Sequence, residues 1–219
     1  MIIVIDGPAG SGKSSTARAI AEQLNIQFLD SGALYRVATL IYLQSEKNRE
    51  LFIDRLKESE ISFYFKNKKF HSLLDGVDVS ESIREMKVSN SVSEVASDPT
   101  VRAHINLLMR AEVTKDVFIA DGRDLGTAVF PDAALKFFMI ADIEARAQRR
   151  LAEMQAKGMD ASLEEIKQNL ENRDNADSSR KADPLKQAED AILVNTSTLT
   201  FNEQVELIKK QIRQILPQN

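Results

Sequence analysis

The sequence predicts an α/β domain built on a parallel sheet of five strands, interrupted by a small antiparallel insert. Three observations lead there. Short apolar runs alternate with stretches in which apolar residues return every three or four positions, the mark of strand–helix–strand units. The first apolar run passes directly into a glycine-rich turn of the form GxxxxGK[ST]. Between about Leu51 and Ala96 the helical rhythm gives way to strict alternation.

Ile2-Ile3-Val4-Ile5-Asp6 reads as a buried strand, followed by Gly7-Pro8-Ala9-Gly10-Ser11-Gly12-Lys13-Ser14 and Ser15. The glycines let this backbone curl so that successive N–H groups point inward at phosphates, and the N-terminus of the next helix adds its positive end. In such a loop the lysine, Lys13, reaches the β- and γ-phosphates of a nucleotide, and the Ser14 hydroxyl is a ligand for Mg²⁺. Ala17, Ile20, Ala21 and Leu24 then form a helical stripe. Gln27-Phe28-Leu29 is a short strand ending at Asp30, and Leu34, Val37, Ala38 and Ile41 return to helical spacing. Asp30-Ser31-Gly32 therefore occupies a strand-to-helix turn, where ligands are commonly held.

In the insert, Ile61, Phe63 and Phe65 alternate, Phe70 to Leu74 follows, Asp75-Gly76 signals a tight hairpin, and Val77 and Val79 alternate again. Asp98 before Pro99 caps a helix carrying Val101, Ile105, Leu108 and Met109. Val117 to Ala120 is a strand ending at Asp121, and Leu135 to Ile140 is another. Asp142 caps a helix with Ile143, Ala147, Leu151 and Met154, which Gly158 ends. Ser162 and Glu165 make a capping box for a helix bearing Leu163, Ile166 and Leu170. A polar stretch, Arg173 to Pro184, separates it from the last strand, Ile192-Leu193-Val194. Thr200 and Glu203 box the final helix, with Val205, Ile208, Ile212 and Ile215 on one face.

At 219 residues and 43% hydrophobic content, the chain suits one domain carrying an insertion better than two domains. Its apolar runs are too short to span a membrane, and Met1 enters a strand with no charged region or cleavage site, so no signal peptide is expected. With no cysteine, the expected setting is the reducing cytoplasm, and thiolate chemistry is excluded. The two histidines, His71 in the hairpin and His104 on a helix, are given no catalytic role. A net charge of −4 argues against a nucleic-acid partner.

Parallel strands deliver their carboxyl ends to one edge, so Asp6, Asp30 and Asp121 are expected to converge beside Lys13 and Ser14. Asp121, closing an apolar strand, resembles the carboxylate that orients Mg²⁺ directly or through water. Arg36, Arg123, Arg173 and Arg180 fall along the same edge, and guanidinium forks suit phosphate oxygens. No residue offers itself as a general base. A phosphate monoester acceptor needs none, because its second pKa of about 6 leaves it ionised at pH 7. A GTP-dependent switch is disfavoured, since no DxxG occurs and Asn67-Lys68 lacks the aspartate that would complete the base-reading motif.

Together the loop after Ile5-Asp6, Asp30-Ser31-Gly32-Ala33-Leu34-Tyr35-Arg36, Asp121-Gly122-Arg123-Asp124-Leu125-Gly126-Thr127, Phe130-Pro131-Asp132-Ala133 and Arg173-Asp174 resemble the bacterial cytidylate (CMP/dCMP) kinases. The resemblance implies a three-layer P-loop fold, with a core of residues 1–50 and 97–219, a helical lid at about 158–186, and an inserted monophosphate-binding subdomain at 51–96. It implies ATP and Mg²⁺ as cofactors, CMP and dCMP as acceptors, a place in pyrimidine nucleotide metabolism, and a monomer. Gly7 to Ser15 would hold ATP, with Ser14 and Asp121 toward the metal. Residues matching Ser31, Tyr35, Arg36 and Arg123 line the acceptor and its phosphate, and those matching Ser93, Arg102 and Asp124 read cytosine. Those matching Arg173, Asp177 and Arg180 approach ribose and phosphates from the lid. Catalysis would rest on Lys13, Arg123, Arg173 and Arg180. Ala176 and Ser178 stand where many relatives carry further arginines. Cytosine's N4 amino donor and its N3 and O2 acceptors complement a carboxylate and a guanidinium, whereas uracil would turn a carbonyl toward Asp124.

Overall fold

The structure, a computed structural model, describes residues 1–66, 69–114, 116–156 and 158–216; Asn67 and Lys68 lie outside them. Strands β1 (Ile2–Asp6), β2 (Gln27–Asp30), β6 (Phe118–Gly122), β7 (Leu135–Ile140) and β8 (Ile192–Asn195) form one sheet in the order β2-β6-β1-β7-β8. Every pairing in it is parallel. The central strand is apolar on both faces because helices cover both, and Ile3, Val4 and Ile5 are fully buried.

Helices α1 (Lys13–Leu24), α2 (Ser31–Gln44), α5 (Pro99–Glu112), α6 (Ile143–Gln155) and α8 (Phe201–Arg213) match the predicted stripes. The local signals act as read at most termini. Asp98 accepts from the Thr100 N–H with Pro99 in the first turn, and both capping boxes, Ser162 with Glu165 and Thr200 with Glu203, are formed. Asp142 stands at the N-cap of α6, but its side chain accepts no helical N–H.

The insert departs from the expectation of a purely antiparallel unit. Strands β3 (Ile61–Lys66), β4 (Lys69–Leu74) and β5 (Val77–Asp78) do form a separate antiparallel sheet, turned at Asp75 and Gly76, both at positive φ (51° and 78°). Two helices flank it: α3 (Arg49–Glu58) and α4 (Met86–Val95). Helix α3 buries only Phe52 and Leu56, a stripe too narrow to stand out among its charged residues.

A second departure shapes the site. Helix α7 (Leu163–Ser179) runs through the first half of the polar stretch that begins at Arg173. Beyond Leu170 its inward face meets Arg146 through Asp174 and Arg123 through Asp177, so no apolar periodicity marks the continuation. Ala176 and Ser178 lie on its exposed side.

The loop after β1 leaves the sheet tightly. Gly7 has φ 146°, and a Cβ there would fall 2.0 Å from the Met139 carbonyl oxygen of β7, so only glycine lets the loop pass. No helix among the described residues is long and apolar enough to cross a membrane.

Candidate active site

Parallel register brings Asp30 opposite Asp121 and Asp6 opposite Gly122, so the three carboxylates do meet at the carboxyl edge. Their roles then divide. Asp6 accepts from the backbone N–H groups of Leu125 (3.0 Å) and Gly126 (2.7 Å), and burial pushes its carboxyl up to about 6. It fixes the turn after β6 and sits beside Lys13 close enough for the two charges to act on one another, but it does not line the cleft. Asp30 caps α2 at the Ala33 N–H (2.9 Å). Asp121 alone turns to the loop, accepting from the Ser14 hydroxyl at 2.5 Å while its carbonyl accepts from Ser31 Oγ at 2.6 Å.

Above this edge lies a cleft of about 1530 Å³, more than one drug-sized ligand requires. Ala9, Gly10, Gly12, Lys13, Ser14 and Ser15 are among its lining. Gly7, Pro8 and Ser11 stay behind that surface: Ser11 is fully buried, and the Pro8 carbonyl accepts from Lys13 Nζ at 2.8 Å. Burial holds the Lys13 ammonium well below its usual range, with Arg123 adding to the effect. The loop thus presents a desolvated cation and the start of α1 to whatever enters.

Asp121 also suits a cation. Its Oδ1 is buried without a hydrogen-bond partner, and its carboxyl is raised to about 6, first by burial and then by Asp30. An orphaned carboxylate oxygen beside a serine hydroxyl fits Mg²⁺, which takes one or two protein oxygens and completes its shell with phosphates and water. Among the described residues no group of three or more His, Cys, Asp or Glu side chains could hold a metal without such help.

The raised Asp121 carboxyl has a testable consequence. Its folded value lies above the ordinary 3.8, so the ionised form is disfavoured in the folded chain and stability falls as pH rises through 4 to 6. Asp121→Asn is therefore expected to raise the thermal midpoint at pH 8, by about 1–3 kcal/mol of stability, and to lose that advantage near pH 4. Melting curves of both proteins at the two pH values measure this; an equal offset at both would rule it out.

The predicted arginines share the cleft. Arg36, Arg123, Arg173 and Arg180 all line it, together with Asp177. Arg36 donates to Ser89 Oγ (2.9 Å) and the Ile83 carbonyl (3.2 Å), and Arg123 Nε donates to Asp177 (2.8 Å). Arg173 has a buried Nε with no partner. Burial and the nearby Arg123, Arg36 and Arg150 push its guanidinium down to about 10. Cations that depress one another in a water-poor site form a receptor for multiply charged anions.

Tyr35, Ser93, Arg102 and Asp124 line the same cleft. Arg102 is 2% exposed; its Nη2 donates to Asp124 and its guanidinium lies 5.3 Å from the centre of the Tyr35 ring. The other Asp124 oxygen accepts from Arg180 Nη2 at 2.6 Å. Burial pushes the Asp124 carboxyl up, against the pull of both arginines.

Several residues that brace the site carry no local signal. Asp174 accepts from the Ala9 N–H at 2.9 Å and from Arg146, whose Nη1 also donates to the Ala9 carbonyl at 2.9 Å, so α6 and α7 clamp the loop. Arg149 donates to Thr196 Oγ1 at 3.1 Å, and that hydroxyl donates to the Ser11 carbonyl at 3.2 Å. Only the adjacency of Asp174 to Arg173 hinted at any of these.

The chain is similar to known proteins over nearly its full length. The family model described as cytidylate kinase matches residues 3–214. A cytidylate kinase of Fusobacterium nucleatum is 42% identical over 221 residues, covering 98% of each chain. That of Lactococcus lactis is 40% identical over 215 residues, again covering 98% of each. A solved structure of an uncharacterized protein from Eubacterium ventriosum shares the fold, with a TM-score of 0.55 at 16% identity over 97% of this chain and 98% of that one.

Proposed function

The chain belongs to the cytidylate kinase family, and from that premise we propose that it transfers the γ-phosphoryl group of ATP to CMP, and to dCMP, by direct in-line displacement. The observation that carries this reading is a single cleft lined by a phosphate loop, by a buried Arg102–Asp124 pair and by Arg36, Arg123, Arg173 and Arg180. Two polyanions must meet there, and the guanidinium groups offset their repulsion.

The loop amides and Lys13 hold the donor phosphates, and Arg123, Arg173 and Arg180 stabilise charge on the transferring group. The acceptor oxygen is ionised already, so no side chain has to remove a proton. Ser14 and Asp121 would hold a magnesium ion together with the nucleotide phosphates, which supplies further charge neutralisation. At the base end Asp124 accepts from the cytosine amino group and Arg102 donates to N3 and O2, with Ser93 beside them. Residues 51–96 serve as the monophosphate-binding subdomain and residues 158–186 as the lid, on the strength of Arg36 contacts reaching Ile83 and Ser89 and of Arg173, Asp177 and Arg180 reaching the cleft. Its partners are small nucleotides, and we take it to act as a monomer in the cytoplasm, within pyrimidine nucleotide metabolism.

The test is ADP release from ATP and Mg²⁺ across CMP, dCMP, UMP, AMP, GMP and simple sugar alcohols. Selective turnover of CMP and dCMP is the expected result. Equal use of UMP would remove the base-reading assignment, and turnover only with an alcohol would replace the phosphate acceptor by a hydroxyl.

A further inference from the structure

Arg102 is held by more than Asp124. Its Nε donates to Asp183 Oδ2 at 2.8 Å and its Nη1 to the Ala96 carbonyl at 3.2 Å. A guanidinium has five N–H groups, and these three contacts leave two. Two is the number that the adjacent N3 and O2 acceptors of cytosine need.

Asp183 touches both ends of the arginine system. Its carboxylate takes Arg102 Nε and, at 3.3 Å, Asn106 Nδ2, while its backbone carbonyl accepts from Arg180 Nε at 2.7 Å. Asn106 in turn accepts from the Tyr35 hydroxyl at 3.1 Å. The residue sits at φ 47°, a left-handed conformation that aspartate and asparagine tolerate better than most side chains. That turn lets one residue direct its side chain at Arg102 and its carbonyl at Arg180. Arg180 has a second carboxylate beside it, Asp177 at 3.6 Å, whereas without Asp183 Arg102 keeps only the Asp124 carboxylate that it shares with Arg180.

We propose that Asp183 is a positioning residue for nucleobase recognition: it fixes the Arg102 guanidinium by its Nε edge, balances its charge, and so presents the two remaining N–H groups to the base. The inference rests on the reading of Arg102 and Asp124 as the cytosine pocket. Asp183→Gly keeps the positive φ and the carbonyl contact to Arg180 but removes the carboxylate; Asp183→Asn keeps an acceptor oxygen and loses the charge.

Steady-state kinetics separate this role from a structural one. Asp183→Gly is expected to raise KM for CMP about tenfold or more, with KM for ATP and kcat within about twofold of the parent, and Asp183→Asn to recover part of the loss. A KM for CMP unchanged in Asp183→Gly, with the parent still preferring CMP to UMP, would overturn the inference alone. Equal increases in both KM values would assign Asp183 to folding instead. A parent enzyme that uses CMP and UMP equally would overturn the pocket reading and this inference with it.

Discussion

Lys13→Met is expected to lower kcat by about a hundred- to a thousandfold without lowering the thermal midpoint. The two halves of that expectation have separate causes. In the structure Lys13 is 4% exposed, and among the described residues its Nζ bonds to the Pro8 carbonyl at 2.8 Å and Ser11 Oγ at 3.4 Å, both on its own loop. Burial disfavours its charge, so exchanging the ammonium for an apolar side chain of similar length removes a desolvated cation from the resting fold. On the proposed role, its benefit comes when phosphates displace the loop carbonyl as partner and negative charge moves between them. A group whose interaction strengthens in the transition state is lost from kcat as well as from kcat/KM. Single-turnover rates at saturating ATP, with melting curves of both proteins, test the two halves together. Turnover within threefold of the parent would remove Lys13 from the chemistry, and a midpoint lowered by many degrees would mean that the loop needs the lysine to fold.

Lys13 was legible in the sequence because everything that defines it is local. A loop that must turn sharply, point its N–H groups inward and open a helix needs glycine at fixed intervals, and Gly7 pressed against Met139 shows why. The caps at Asp98, Ser162 and Thr200 were legible for the same reason: each bonds to a backbone group two or three residues away. The sheet followed from the spacing of apolar runs. What stayed hidden depends on partners distant in the chain. Asp174 meets Ala9 across 165 residues, and Asp183 meets Arg102 across 81. The apolar stripe of helix α7 stops at Leu170, and its last turns pack by charge, which no hydrophobic period records. Asp6 and Asp121 looked equivalent as acids closing apolar strands, yet one grips the Leu125–Gly126 amides and the other faces Ser14. Their difference lies in what the next loop does, and the sequence contains no short-range mark of it. The pair proposed to read the base is visible only through the family resemblance, since an arginine on α5 and an aspartate after β6 have no spacing rule that joins them.

Asp124→Asn is expected to cut kcat/KM for CMP by about tenfold to a hundredfold and to lower the CMP-over-UMP ratio by at least about tenfold. Both carboxylate oxygens are engaged, one by Arg102 and the other by Arg180 at 2.6 Å, and the side chain is about 5% exposed. A carboxamide of the same shape offers one acceptor and one N–H donor. It can keep a single arginine, and its donor then faces the other arginine and, on the proposed reading, the cytosine amino group beside it. Two donors opposed in a buried site leave both unpaired, while the carbonyl that uracil carries at the same position would be satisfied. The substitution therefore penalises CMP and relieves UMP, which is why the ratio is the decisive quantity. A general loosening of the fold, or a misplaced Arg180, would depress both substrates alike. Competition between CMP and UMP in one reaction, read as the ratio of the two diphosphates formed, measures that ratio directly. A large loss of rate with the ratio unchanged would leave Asp124 as a tie between two arginines, and cytosine would have to be read by other groups in the cleft.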